Sequence, residues 1–205
     1  MSAIRLLVLG SVRAHERAHG YQVRSDLESW GAHEWSTAKP GSVYHALKQM
    51  ARQGLLAADE VAPSDAGGPP RTAYALTERG EAEYTDLLRA ALAADHDARV
   101  DVVSAGLGLM TDLPRAEVLE LLRRRAGHLE GWRASVVVHH DPHAPDHEEA
   151  GAVGEVLGFW VHSAESMTAW TRALIARIEG GAHVFAGEGS WRPAGLPDGE
   201  EAAAT

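Results

Sequence analysis

Apolar residues in the first half of the chain follow a helical spacing, change to short strand-like runs and then return to helical spacing. The pattern predicts buried helices over residues 4–12, 20–30 and 42–52, because apolar residues three and four positions apart share one helical face. It also predicts two short strands, over residues 55–61 and 71–76, separated by a stretch too rich in Gly and Pro for regular structure. The predicted order is three helices followed by a β-hairpin.

A fourth helix is expected directly after the second strand. Thr77 is placed to cap it, since a hydroxyl at the N-cap accepts a hydrogen bond from an amide of the first turn. The apolar face of this helix consists of Tyr84, Leu87, Leu88, Ala91 and Leu92.

The second half of the chain predicts two longer helices joined by a loop. The first begins at Asp112-Leu113-Pro114 and runs to Trp132, and prolines within residues 139–147 end it. The second covers roughly residues 148–179, and its apolar steps of three and four resemble a coiled-coil seam. The seam contains Val153, Val156, Leu157, Trp160, Ala164, Met167, Leu174 and Ile178.

Residues 42–52 form an amphipathic helix with one apolar face and one face of hydrogen-bond donors. The inward face holds Val43, Leu47, Met50 and Ala51. The outward face holds Ser42, His45, Lys48, Gln49 and Arg52. In a DNA major groove, Gln pairs with adenine edges, Arg or Lys with guanine, and Ser or Lys with phosphate. A solvated helix face has the same composition, so the helical wheel alone leaves both interpretations open.

Three motifs around this helix resemble those of the PadR-like family of transcriptional regulators. They are a helix start at Pro40-Gly41-Ser42-Val43-Tyr44, a helix exit at Gly54-Leu55-Leu56, and a Tyr74-Ala75-Leu76-Thr77 run that ends at Gly80. The resemblance covers residues 3–92 and implies a mainly α fold. An N-terminal winged helix-turn-helix, made of helices and a two-stranded β wing, would precede a helical C-terminal dimerisation region. The predicted domains are residues 1–95 for DNA binding, 96–182 for dimerisation and effector binding, and 183–205 as a flexible tail.

The resemblance also implies which side chains contact DNA. Tyr44 would place its hydroxyl at a phosphate, with packing in the core as the alternative, and Arg71 would approach the minor groove or a phosphate from the wing. The wing tip, Gly67-Gly68-Pro69-Pro70-Arg71, carries fewer charges than is usual in the family. The predicted DNA-binding residues are Lys39, Ser42, Tyr44, His45, Lys48, Gln49, Arg52 and Arg71.

Charge is distributed unevenly along the 205 residues, whose net charge is −10. Residues 1–80 hold 9 Lys and Arg against 8 Asp and Glu, whereas residues 81–205 hold 10 against 21. A local basic face can engage phosphates while the acidic remainder lies elsewhere. The chain contains no Cys, no basic leader and no apolar run near the ~18 residues of a membrane span, which predicts a cytoplasmic protein.

The apolar seam of the last helix predicts a homodimer, since a chain of this size cannot easily bury the whole stripe alone. The eight seam residues are the predicted dimer interface. An intramolecular bundle with residues 114–132 is the alternative. A dimer doubles the base contacts and fits a palindromic operator, so the predicted partners are double-stranded DNA and a second copy of the chain.

Aromatic and hydroxyl side chains beside the seam predict a small-molecule site. A flat aromatic effector would stack on the rings and be held by a few polar groups. Plain helix packing is the alternative. The predicted effector-binding residues are Trp132, Phe159, Ser163, Ser166 and Trp170. The predicted function is a homodimeric repressor that a small, aromatic effector releases from DNA.

Four histidines, His139, His140, His143 and His147, raise a metal-responsive regulator as the alternative function. The prolines among them favour a solvated loop, and we predict no bound metal and no cofactor. The chain has no Cys nucleophile, no Gly-x-Ser-x-Gly elbow and no His-Glu-x-x-His helix, so an enzyme is not predicted.

Overall fold

The computed structural model describes residues 2–36, 38–61, 71–138 and 151–194. The first half contains helices α1 (Ala3–Ala14), α2 (Gly20–Ser29), α3 (Ala32–Trp35), α4 (Pro40–Arg52) and α5 (Glu78–Leu92), with strands β1 (Ala18–His19), β2 (Leu56–Val61) and β3 (Arg71–Leu76). The second half contains α6 (Val100–Gly108), a 3-10 turn (Met110–Asp112), α7 (Arg115–Val137) and α8 (Gly151–Glu179). The predicted mainly α fold class is confirmed.

Strand β3 is the centre of a small antiparallel sheet with the order β1-β3-β2. In the β2–β3 hairpin, Leu56 lies opposite Leu76. On the other edge of β3, Ala18 of β1 lies opposite Tyr74. The hairpin lies where the sequence predicts it. Strand β1 was not predicted, because two residues are too few to show an alternating pattern.

Helix α1 lies at the centre of the N-terminal unit and packs against α2, α4, α5, α6 and β3. Leu6, Leu9 and Val12 on this helix are fully buried. The apolar side of α4 therefore packs on this core, and the opposite side of the helix faces outward.

The junction between β3 and α5 is tightly packed. The Gly80 amide donates a hydrogen bond to the Thr77 hydroxyl oxygen at 3.0 Å, which confirms the predicted helix cap. The Thr77 hydroxyl in turn donates to the Gly54 carbonyl at 2.8 Å. A Cβ atom at residue 80 would lie 2.1 Å from the Leu55 carbonyl oxygen, so this close approach requires Gly.

Helices α7 and α8 form an antiparallel hairpin. Three ion pairs fix their direction: Arg123 with Glu179 at 2.5 Å, Arg172 with Glu130 at 2.6 Å, and Arg133 with Glu165 at 2.6 Å. In these pairs the residue number rises along α7 as it falls along α8, so the two helices run in opposite directions. The described part of α8 begins at Gly151, close to the start predicted for the last helix.

Residues 183–194 pack against the protein, which differs from the flexible tail predicted from residue 183. Phe185 is fully buried, and the Arg115 guanidinium lies 4.6 Å from the centre of its ring. Arg115 also donates to the Ile178 carbonyl at 2.7 Å. No sequence pattern indicates this packing, because a segment rich in Gly and Pro has no helical or strand periodicity. Residues 195–205 lie outside the described part of the chain.

A buried carboxylate joins this segment to both halves of the protein. Asp112 accepts hydrogen bonds from the Tyr84 hydroxyl at 2.6 Å, from the Ala194 amide at 2.8 Å and from Arg13 at 3.2 Å. Burial raises the pKa of the Asp112 carboxyl. Burial, reinforced by the Asp112 charge, raises the pKa of the Tyr84 hydroxyl well above its usual value. The cluster connects α1 and α5 to the turn before α7.

Candidate DNA-binding surface and ligand cavity

The start of helix α4 follows from its first residues. Lys39 is the N-cap with extended backbone (φ −84°, ψ 154°), and Pro40 occupies the first turn, where its fixed φ suits a helix and a missing N–H is tolerated. The Ser42 hydroxyl donates to the Lys39 carbonyl at 2.6 Å. Lys39 is exposed and Ser42 is half-buried.

The two faces of α4 are separated as the helical wheel predicts. Val43, Leu47 and Met50 are each at most 1% exposed, and Ala51 is half-buried. The opposite face presents four exposed polar side chains, which are His45, Lys48, Gln49 and Arg52. A row of donors therefore projects from a rigid, well-packed helix.

The cations on α4 and at its N-cap differ from most others in the described part of the chain, which pair with a carboxylate. Arg5 pairs with Glu83 at 2.8 Å, and several other arginines form similar ion pairs. Among the residues that the structure describes, Lys39, Lys48 and Arg52 form no ion pair. Their charges are therefore available to an anion from outside the chain, such as a phosphate.

Tyr44 lies between the two faces of α4 and is 41% exposed. One side of its ring packs on Gly20, since a Cβ atom there would lie 2.7 Å from Cε1 of Tyr44. The ring is thus held against the domain while part of it remains open to solvent. Tyr21, which the sequence did not bring into the site, is 48% exposed beside Gly20 and stacks on His19 at 5.7 Å. The sequence feature that could have identified Tyr21 is an aromatic residue in the first turn of α2.

Part of the predicted site falls on residues that the structure does not describe. Arg71 is the first residue of β3, and the wing tip at residues 62–70 lies outside the described residues, as do the four histidines within residues 139–147. Within the described ranges, no group of three or more His, Asp or Glu side chains is arranged to hold a metal ion. None of the described helices combines the length and the hydrophobicity that a membrane span requires.

A cavity of about 320 Å³ lies between α6, α7 and α8, within the size range of small-molecule sites. Its wall is largely apolar, with a Trp ring, an Arg and three hydroxyl groups as the polar elements. The lining residues are Ala98, Val100, Val103, Ser104, Leu107, Arg125, Ser166, Met167, Trp170 and Thr171.

Arg125 is the charged residue in this wall and is only 6% exposed. Its guanidinium donates to the Ala94 carbonyl and lies 3.5 Å from the Asp95 carbonyl oxygen. Burial lowers the pKa of the Arg125 guanidinium, and the charge of Asp95 offsets part of this effect. No carboxylate in the described part of the chain forms an ion pair with it. Sequence reasoning missed Arg125 because nothing distinguishes it from its neighbours Arg123 and Arg124.

The predicted effector residues separate into two groups. Ser166 and Trp170 line the cavity, whereas Phe159, Ser163 and Trp132 do not. Trp132 stacks on His96 with ring centres 4.3 Å apart and lies 6.2 Å from the Trp160 ring.

The predicted dimer seam also separates into two parts. Ala164, Leu174 and Ile178 are buried inside the chain, which is the intramolecular packing that the sequence left as the alternative. Leu157 and Met167 are half-buried. The N-terminal half of α8 exposes large apolar side chains, which are Val153, Val156, Phe159 and Trp160.

Helices α2 to α4, with the β2–β3 hairpin beside α4, have the arrangement of a winged helix-turn-helix, the class to which many DNA-binding regulators belong. Residues 8–86 match the model of the Transcriptional regulator PadR-like family, and the chain carries a PadR-like domain over these residues. The predicted resemblance to this family is confirmed over residues 8–86, and the members of the family are transcriptional regulators.

Solved structures with similarity to the chain include Bacillus subtilis PadR in complex with operator DNA, at 18% identity and a TM-score of 0.37, covering 85% of this chain and 98% of that chain. Bacillus subtilis PadR in complex with p-coumaric acid is 17% identical, with a TM-score of 0.36 and coverage of 86% and 99%. A PadR-like transcriptional regulator from Bacillus cereus is 16% identical, with a TM-score of 0.36 and coverage of 85% and 94%. A comparison with curated proteins finds no match.

Proposed function

We propose that the protein is a homodimeric repressor that binds a palindromic operator through helix α4 of each protomer and is released by a small aromatic effector. The observation that carries the DNA-binding part is the outer face of α4, where Lys48 and Arg52 have no ion-pair partner in the described structure and flank the exposed amide of Gln49. Such a face offers donors for base edges and charge for phosphates on one rigid helix.

The proposed contacts divide by chemistry. His45, Gln49 and Arg52 are placed to read base edges in the major groove, whereas Lys39, Ser42 and Lys48 would contact phosphates. Tyr44, with its ring packed on Gly20, would direct its hydroxyl to the DNA backbone. Arg71, the first residue of β3 in the wing, would contact the minor groove or a phosphate.

Selection of binding sites from a randomised duplex pool tests this function without knowledge of the operator. We expect enrichment of an inverted repeat whose half-sites are about 10 base pairs apart, because two recognition helices of a dimer enter the major groove one turn apart. Placed at a promoter, the enriched sequence should make transcription fall when the protein is added. A pool that shows no enriched sequence would contradict the proposal.

The exposed apolar side chains of α8 support the proposed homodimer. Val153, Val156 and Trp160 are 66%, 48% and 42% exposed, and Phe159 lies beside them. Four large apolar residues within about two turns form a patch of the kind that marks protein interfaces. A second copy of the chain satisfies the patch symmetrically, since a two-fold axis brings the same surface from each protomer together.

We expect the double substitution Val156→Glu and Trp160→Glu to convert the dimer into a monomer, because association would then bury four unpaired carboxylates near the axis. Light scattering after size exclusion should show a fall from twice the chain mass to the chain mass of 21.9 kDa. Ala169→Glu is the matched control, because this exposed position on α8 lies away from the patch. A double variant that remains dimeric would exclude this patch as the interface.

The cavity between α6, α7 and α8 supports the proposed effector site. Trp170 supplies a flat surface for stacking and Ser166 supplies a hydroxyl group, whereas the Thr171 hydroxyl already donates to the Met167 carbonyl at 2.8 Å. Arg125 adds a buried cation without an ion-pair partner among the described residues, which favours an aromatic molecule that carries an acidic group. Effector binding would lower operator affinity to the extent that the effector prefers the protein state that binds DNA poorly.

Trp170→Ala is expected to weaken binding of small aromatic acids by about tenfold or more, because a stacked aromatic contact contributes roughly 0.5–1.5 kcal/mol beyond the buried area of the ring. Calorimetric titration with a panel that includes p-coumaric acid measures this. His162→Ala is the control, since His162 is exposed on α8 and lies outside both the cavity wall and the apolar patch. Equal losses in both variants would place the site elsewhere.

A further inference from the structure

Helix α5 is bonded at its N-terminal end to the residues that follow the recognition helix α4. The Thr77 hydroxyl lies 2.8 Å from the Gly54 carbonyl oxygen and 3.1 Å from that of Leu55. Arg79 donates to the Gln53 carbonyl at 3.1 Å. These contacts bind the start of α5 to all three residues directly after α4, so a displacement of α5 reaches the exit of the recognition helix.

The segment that follows the C-terminal end of α5 is hydrogen-bonded to a residue that lines the cavity. Its 15 residues span about 22 Å at the usual helical rise. Beyond its last turn, the Ala94 carbonyl accepts a hydrogen bond from the buried guanidinium of Arg125. The same guanidinium lines the cavity and lies 3.9 Å from the sulfur of Met167 on the opposite wall. One side chain therefore contacts both the cavity and the end of α5.

The charge of Arg125 is incompletely satisfied where it lies. Its acceptors are the Ala94 and Asp95 carbonyls and the Met167 sulfur, which are uncharged groups and form no ion pair with it. An acidic or strongly accepting group in the cavity would form a stronger, charge-assisted hydrogen bond with the same donors. The Ala94 carbonyl and an acidic ligand would thus compete for hydrogen bonds from the Arg125 guanidinium.

We propose that Arg125 is a positioning residue that couples the cavity to the recognition helix through α5. With the cavity empty, its bond to Ala94 holds α5 and the α4 exit in the arrangement that binds DNA. An occupant that draws the guanidinium into the cavity releases this end of α5. The inference rests on the proposed function, because it describes how an effector in this cavity would change operator affinity.

The first test removes the guanidinium without any ligand. Arg125→Met should weaken binding to the selected duplex by about tenfold or more in fluorescence anisotropy, whereas the exposed neighbour change Arg124→Met should stay within about twofold. Thermal melting of each variant accompanies the titration. If Arg125 has only a structural role, Arg125→Met lowers the melting temperature but leaves the DNA affinity of the folded protein unchanged. This result would overturn the proposal. Should Arg125→Met fail to fold, Arg125→Lys decides in the same way, with a weaker but measurable loss expected.

The second test fills the cavity with a side chain. Ser166→Trp places a ring in the cavity and should weaken operator binding as an occupant would, whereas Ser163→Trp, one turn earlier and outside the cavity wall, should not. Wild-type affinity in Ser166→Trp would contradict the coupling. Failure of the wild-type protein to bind any selected duplex would instead contradict the proposed function, so the two failures are distinguishable.

Discussion

Replacing Lys48 and Arg52 together with Ala is expected to lower affinity for the selected duplex by about 100-fold or more, since each base or phosphate contact of this kind contributes roughly 1–3 kcal/mol and a dimer loses four of them. Neither side chain has an ion-pair partner in the described structure, so their removal leaves no carboxylate unpaired. The loss should therefore appear in DNA binding and not in stability. Anisotropy titrations at several salt concentrations measure both the affinity and its salt dependence.

The control for this variant carries the same change in net charge. Arg124→Ala with Arg177→Ala removes two exposed cations that lie on α7 and α8, away from α4. It should leave operator affinity within about threefold, because charges beyond a Debye length of ~10 Å are largely screened. The variant of α4 should also have a shallower salt dependence, by about 0.9 for each phosphate that the protein no longer neutralises. Equal losses in both variants would show that α4 is not the reading helix.

Gly80→Ala is expected to destabilise the protein by about 3 kcal/mol, because the added methyl overlaps a backbone atom that cannot move away. Its Cβ would lie 2.1 Å from the Leu55 carbonyl oxygen. That oxygen is held in place as the acceptor of the Thr77 amide and hydroxyl, both at 3.1 Å. Differential scanning calorimetry should show a melting temperature lower by roughly 6–12 °C.

Gly127→Ala is the matched control, because a Cβ atom at this exposed position of α7 meets no heavy atom within 4 Å. Removing a Gly from a helix interior should leave the melting temperature unchanged or raise it, since Ala is favoured there by about 1 kcal/mol. Gly80→Ala with the melting temperature of wild type would refute the close packing of α5 on the α4 exit. The coupling proposed through α5 would then lose its structural basis.

The N-terminal half could be predicted from the sequence because its signals are local. The apolar spacing of Val43, Leu47 and Met50 indicates the buried face of α4, and the structure buries all three. Thr77 is recognisable as a cap from its chemistry alone. The need for Gly80 is visible as a motif, but its physical reason, the nearby Leu55 carbonyl, required the structure.

Short elements and long-range packing could not be predicted. Strand β1 and helix α3 are too short for a period to appear, and α6 was not anticipated in the segment after α5. Phe185 lies in a segment of low periodicity, yet Arg115 and the core hold it fully buried. Composition describes such a segment as mobile, whereas tertiary contacts decide whether it packs.

Helix α8 shows that apolar periodicity does not distinguish a dimer seam from packing within the chain. Apolar steps of three and four identify a buried stripe but not the surface that buries it. Ala164 and Ile178 pack within the chain, whereas Val153 and Trp160 remain exposed. The cavity likewise combines residues from different helices, which the periodicity of one helix does not indicate. Trp170 faces the cavity, but Arg125 comes from a different helix, which no spacing along α8 could reveal.

The absence of Cys from the chain permits a direct test of where α4 lies on DNA. Gln49→Cys introduces a unique thiol on the outer face of α4, and a selected duplex can carry a disulfide-tethered base at each position of a half-site in turn. We expect efficient cross-linking from residue 49 to one or two adjacent major-groove positions, and none from Arg124→Cys on α7. Absent cross-links from residue 49, or equal cross-links from both variants, would contradict the claim that α4 reads the operator.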